Sequence, residues 1–228
     1  LYVKAGIILL LLFVYSLLTG FSPSVSRASL MFGLVLVGRV FQRQSNIYNT
    51  LCFAAFTLLA INPFYIYSVG FQFSFLAVLG IVFYKDKIKA LWPQKYWLSD
   101  KIATLLAVSI AAQLTTFPLG IYYFHQFPNY FMLSNLLVIP TITLVVYGGL
   151  AVAVLHYISA FAAKLIAAIV SSYISFIAYS VNAIKELPFA FFENVHITGI
   201  QMLAVFLFLF VLTWYTSSKK SIALVGLT

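Results

Sequence analysis

About eight apolar runs, most of them roughly 17 to 25 residues long, follow one another along this chain with only short polar breaks between them. A run of that length crosses about 30 Å of hydrocarbon as a helix. The strands of a membrane barrel would instead alternate apolar and polar residues in segments of about ten, whereas these runs are apolar on every side. Charge points the same way. Of 228 residues, 64% are hydrophobic and only 7% charged, against about 25% charged in an ordinary soluble domain. The expected fold is all-α, a polytopic transmembrane helix bundle of about eight spans.

Those spans are expected at residues 3–19, 26–41, 47–61, 67–84, 102–124, 130–155, 160–184 and 199–215. The first ends at Gly20, Ser22 and Pro23, and the second at Gln42-Arg43-Gln44-Ser45-Asn46. Asn62-Pro63 stops the third, because proline disfavours the helical conformation of the residue before it. Residues 85–101 hold five lysines, two aspartates, Trp92, Tyr96 and Trp97, the signature of a segment in the headgroup region. The chain starts without Met and stops at Ile222-Ala223-Leu224-Val225, inside a further apolar stretch. It therefore reads as one membrane-embedded domain over residues 1–228, a piece of a longer protein.

If the spans alternate, Lys4, Arg39, Arg43, Lys85, Lys87, Lys89, Lys95, Lys101, Lys164, Lys219 and Lys220 collect on one side, and only Arg27 and Lys185 on the other. The positive-inside rule assigns the first side to the cytoplasm. The net charge of +9 suits anionic lipid at that face or a polyanionic substrate.

Residues able to carry hydrolytic or metal chemistry are sparse. His125, His156 and His196 sit at span ends with no carboxylate or cysteine at ligand spacing, so neither a metal nor a cofactor is expected. The single cysteine, Cys52, lies within a span, where it reads as a small apolar filler. Asp86, Asp100, Glu186 and Glu193 are expected in loops, which leaves no membrane carboxylate for a proton relay.

Arg27 stands at the outer start of the second span, against the charge rule, within Ser24-Val25-Ser26-Arg27-Ala28-Ser29. An arginine there snorkels to headgroups, faces a wet cavity, or binds carbonyls or an anion. Asn62, Gln72, Ser74, Gln113, Thr115, Thr116, Ser134 and Asn135 are the other polar residues in the spans. They brace helices or line a pathway. Gln113 precedes Pro118, and Asn135 precedes Pro140, by about one helical turn, so each proline could open a polar break beside them. Pro63 is a third expected break.

Several segments together resemble the competence domain of the ComEC family. They are Gly20 with Ser26-Arg27-Ala28-Ser29-Leu30-Met31, Asn62-Pro63, Gly70-Phe71-Gln72-Phe73-Ser74-Phe75-Leu76-Ala77-Val78, Gln113, Phe117-Pro118-Leu119, and Ser134-Asn135-Leu136-Leu137-Val138-Ile139-Pro140. Phe73 stands where the family pattern has leucine. The match runs over about residues 20–150; beyond that only hydrophobicity fits.

The resemblance implies a multi-pass channel in the bacterial inner membrane that admits single-stranded transforming DNA. Such a channel works with a DNA receptor outside and an ATP-driven translocase within, as one chain or a homodimer. By the same resemblance, Arg27 would contact phosphates near the outer mouth, and Ser26, Gln72, Ser74, Gln113 and Asn135 would line or brace the path. Family members usually also carry an OB-fold domain and a metallo-β-lactamase-like domain. The residues here contain no His-x-His-x-Asp-His string, so no enzyme activity is expected of them. The rival reading is a small-anion or solute permease with its site at broken helices near the midplane.

Overall fold

The computed structural model describes residues 2–41, 46–92 and 96–225. Eight helices carry almost all of them: α1 (Tyr2–Leu18), α2 (Pro23–Val40), α3 (Ile47–Ile61), α4 (Val69–Lys89), α5 (Trp97–Phe124), α6 (Phe131–Ile158), α7 (Ala160–Lys185) and α8 (Gly199–Val225). Each falls on one of the expected spans. A 3₁₀ segment, Pro63–Tyr67, follows α3, and two short strands, β1 (Phe127–Pro128) and β2 (Phe191–Phe192), pair antiparallel. Apolar helices are the local solution because in lipid every backbone polar group must be satisfied within its own segment.

The helix ends follow from particular residues. Gly20, at φ 63°, closes α1: its N–H donates to the Leu17 carbonyl (3.0 Å), and the Phe21 N–H donates to that of Ser16 (2.8 Å). This is the Schellman pattern, which satisfies two carbonyls at the helix end. The Asn46 side chain caps α3 by accepting from the Tyr48 N–H at 3.0 Å. Asn62 ends α3 in an extended conformation (φ −146°, ψ 103°), as Pro63 requires, and its side chain accepts from the Phe64 N–H. Thr198 and Gln201 cap α8 reciprocally, each side chain accepting from the other's backbone N–H, a capping box.

By length and composition α4, α5, α6 and α7 suffice to cross a membrane; α1, α3 and Gly199–Thr213 of α8 are apolar but shorter. The helices expose large apolar side chains such as Leu10, Tyr157 and Leu207. A surface of that kind is tolerated in lipid and not in water.

Three expectations are modified. Asp86 and Asp100 do not lie in loops: α4 runs on to Lys89 and α5 begins at Trp97, so both acids sit within helices near their ends. Much of the 85–101 segment is therefore helical, with Lys89 Nζ 2.8 Å from the Asp100 carboxylate and Lys101 Nζ 3.9 Å from the centre of the Trp97 ring. The helical backbone also continues through Pro118 and Pro140. The interruption expected there is limited to the hydrogen bond that proline cannot donate, whereas Pro63 does end α3 and open the 3₁₀ segment. Finally, α8 does not stop near Tyr215 but runs to Val225. The Gln42–Ser45 break and Lys95 lie outside the described residues.

The chain divides into two compact units, Leu1–Asp86 with Ala111–Thr116, and Lys87–Ile110 with Phe117–Thr228. In the first, α1 packs on α2 and α2 on α3. There Gly80 of α4 meets Ala111 and Thr115 of α5: a Cβ on Gly80 would fall 2.5 Å from the Ala111 carbonyl oxygen and closer still to the Thr115 hydroxyl. That hydroxyl donates across to the Leu76 carbonyl at 2.8 Å. Small residues let membrane helices approach closely, and α5 carries a stripe of them, Ala103, Ala107, Ala111 and Thr115, all buried.

In the second unit α6 packs along α7, and β1 and β2 tie the loop before α6 to the loop after α7. Asn129 Nδ2 donates to the Phe189 carbonyl (2.6 Å) and the Tyr130 hydroxyl to that of Pro188 (3.1 Å). Each such bond contributes about 1 kcal/mol. Asn129→Ala is accordingly expected to speed limited proteolysis within residues 186–198 several-fold without changing helix content by circular dichroism.

Candidate functional site

The tight Gly20-Phe21 turn brings the start of α2 back against α1, and the Phe21 ring meets that of Phe13 edge-on at 6.2 Å. Pro23 opens α2 at a position where its missing N–H would have had no helical partner. Arg27 follows one turn later and is only 2% exposed. Its Nη2 donates to Ser24 Oγ at 3.0 Å. Its Nε and Nη1 are buried without a hydrogen-bond partner. A Cβ on Gly70 would lie 4.0 Å from Nη2, so the guanidinium stands beside the first turn of α4. The guanidinium is therefore enclosed by protein.

Gln72, on that same first stretch of α4, donates from Nε2 to the Ile66 carbonyl at 2.8 Å, while its Oε1 is buried and unpartnered. Its observed role is to brace the 3₁₀ segment against α4. Ser26 is adjacent to Arg27 in sequence but lies on a different face, lining a cavity of about 630 Å³ among α1, α2 and α3 with Ser16, Ser29 and Tyr65. The rest of that lining is apolar, so the cavity is a poor host for a polyanion. Ser16 donates to Ser29 at 3.0 Å within it, a link between α1 and α2 that sequence reasoning missed.

Ser74 on α4 and Gln113 on α5 are half-buried in the same unit. Asn135 is half-buried in α6 and belongs to the other unit. Thus Arg27 and the Gly70–Gln72 turn come together, Ser26 faces elsewhere, and Asn135 belongs to a separate body. The unit containing Arg27 has one acid, Asp86, which lies 3.4 Å from Lys85. Asp86 is sixteen residues along α4 from Gly70, or about 24 Å at 1.5 Å per residue. Arg27 therefore has no counter-ion within its unit.

In the second unit the His125 and His196 rings meet at 4.4 Å, a pairing of residues far apart in the chain that no local spacing signals. His125 takes φ 55° as the cap of α5, and its carbonyl accepts from the Val195 N–H. Among the described residues no group of three or more His, Cys, Asp or Glu could hold a metal ion.

Apolar helices with outward apolar faces define a polytopic α-helical membrane protein. The profile of the family described as "Competence protein" matches residues 2–219, across both units. The chain belongs to this family, the ComEC family of competence proteins. It is 32% identical over 153 residues to ComE operon protein 3 of Bacillus subtilis (strain 168), an alignment covering 67% of this chain and 19% of that relative. The chain thus matches about a fifth of its relative's length. No solved structure matches it.

Proposed function

We propose that this chain forms part of an inner-membrane channel through which single-stranded DNA enters the cytoplasm during natural competence. The observation that carries the reading is Arg27, buried in α2 with two donors that no described residue accepts and no counter-ion in its unit. A polyanion crossing hydrocarbon needs positive and polar lining free of fixed negative charge. Arg27 and Gln72 meet that need, with Ser74 and Gln113 as further polar lining or bracing in the same unit. The positive-inside rule supports an outer position for Arg27, which stands against the charge bias of the rest of the sequence. The partners are a DNA receptor outside and a cytoplasmic ATP-driven translocase.

The test is uptake of labelled transforming DNA in the native host, comparing wild type with a deletion of the full gene. DNA held at the surface but not internalised in the deletion is the expected result. Undiminished internalisation, with no second copy of the gene, overturns the reading. The purified full-length protein is expected to bind single-stranded DNA with an affinity that falls steeply with salt, since counterions are released from the phosphates. Saturable uptake of a small anion without DNA binding would instead identify a permease.

A further inference from the structure

We propose that Arg27 and the first turn of α4 form a discrete binding site for one phosphate-type oxyanion, a phosphodiester or free phosphate. The first backbone hydrogen bond into α4 runs from the Gln72 N–H to the Ser68 carbonyl at 3.1 Å. The N–H groups of Val69, Gly70 and Phe71 therefore stand ahead of the helical ladder. Such a helix start attracts anions through its unpaired donors and its dipole.

The buried guanidinium beside it supplies the second, independent element. Ser24 fixes one nitrogen, and Nε and Nη1 remain as buried donors that no described residue accepts. A planar guanidinium offers its N–H groups in a fork that matches two oxygens of one oxyanion. Gly70 brings the helix backbone close to the guanidinium: a Cβ there would stand in ordinary van der Waals contact with Ser68 Oγ at 3.8 Å and Arg27 Nη2 at 4.0 Å. A monoanion balances the single positive charge, which the distant Asp86 does not. This chemistry is shared by a DNA backbone phosphate, a phospholipid headgroup and inorganic phosphate. The site does not rest on the DNA-channel reading.

That close approach supplies a variant able to fill the site from within. In Gly70→Asp, a carboxylate in the first helical turn, where negative charge is favoured, reaches the guanidinium and takes the oxyanion's place. The experiment measures thermal unfolding of the full-length protein in nanodiscs of phosphatidylcholine, in phosphate-free buffer of fixed ionic strength. Inorganic phosphate and a short oligothymidylate are the added probes, and nanodiscs containing phosphatidylglycerol are the third arm.

A ligand that binds only the folded state raises Tm saturably, and wild type is expected to rise by a few degrees with at least one probe. Gly70→Asp is expected to start from a Tm at or above wild type and to lose that rise, as is Arg27→Met. A rise with oligothymidylate in phosphatidylcholine identifies nucleic acid as an occupant. A rise confined to phosphatidylglycerol supports the site with a lipid headgroup in it and counts against the DNA path. No rise with any probe, a rise reproduced by sodium chloride alone, or a full rise retained in Gly70→Asp overturns the proposal.

Discussion

Gly80→Ala is expected to lower stability by about 1–3 kcal/mol, and Gly80→Leu to prevent folded protein from accumulating. At this crossing of α4 and α5 the added atom meets backbone as well as side chain, because the Ala111 carbonyl oxygen lies 2.5 Å from where a Cβ would sit. A flexible side chain could turn away; a helical carbonyl cannot move without its helix. Separating the helices would also break the bond from the Thr115 hydroxyl to the Leu76 carbonyl, worth about 1 kcal/mol in a membrane protein. Gly149→Ala on α6 is the control: nothing lies within 4 Å of its new Cβ, and alanine is the better helix former by roughly 1 kcal/mol. Thermal unfolding in detergent should order the proteins as Gly149→Ala at or above wild type, Gly80→Ala well below. Equal midpoints for the two alanine variants would show that the close crossing does not matter to stability.

Arg27→Met is expected to separate stability from function. Methionine keeps much of the arginine's volume and removes a buried charge that, among the described residues, has only Ser24 as a partner. Each unsatisfied buried donor costs about 1–3 kcal/mol, and replacing buried charge by well-packed apolar atoms is often stabilising. The variant should unfold at the same temperature as wild type or higher. Its DNA internalisation should nevertheless fall. One charge-assisted hydrogen bond to a phosphate is worth about 1.5–3 kcal/mol, or roughly a 10- to 100-fold loss at about 1.4 kcal/mol per decade. The measurement is internalised label per cell at matched protein level. A variant that misfolds would assign Arg27 a structural role; one that folds and transports normally would remove it from the path.

The helices are legible in the amino-acid pattern because their cause is local. Runs apolar on every side leave the backbone one way to satisfy itself in lipid. Gly20 and Asn62-Pro63 end helices through conformations that those residues themselves favour or impose. Pro118 and Pro140 show the limit of that reasoning: a proline forfeits one hydrogen bond, but whether the helix breaks depends on what surrounds it, and both helices continue. The acids show the same limit, since the sequence pattern of 85–101 marks a polar stretch without saying how far helical backbone extends into it. The spacing of the small residues Ala103, Ala107, Ala111 and Thr115 is a usable signal for a close crossing, easily overlooked because alanine is also a common filler.

For the site, sequence makes Arg27 conspicuous, and the one acid of its unit, Asp86, stands at the far end of α4. The surroundings of Arg27 lie beyond the sequence. Burial, the unpartnered Nε and Nη1, and the approach to Gly70 all depend on how α2 and α4 pack, which no local pattern encodes. The same packing sends Ser26 into an apolar cavity although it adjoins Arg27 in the chain, because consecutive helical residues point about 100° apart. The fold of the first unit gives Gln72 a backbone carbonyl to hold, and that of the second brings His125 to His196. Local sequence specifies which stretches become helical, and it marks Arg27 as a cation at the outer start of an apolar span, because solvation by lipid acts residue by residue. Which groups that cation meets is a matter of packing, because a contact between helices is set by side-chain volumes on both of them at once.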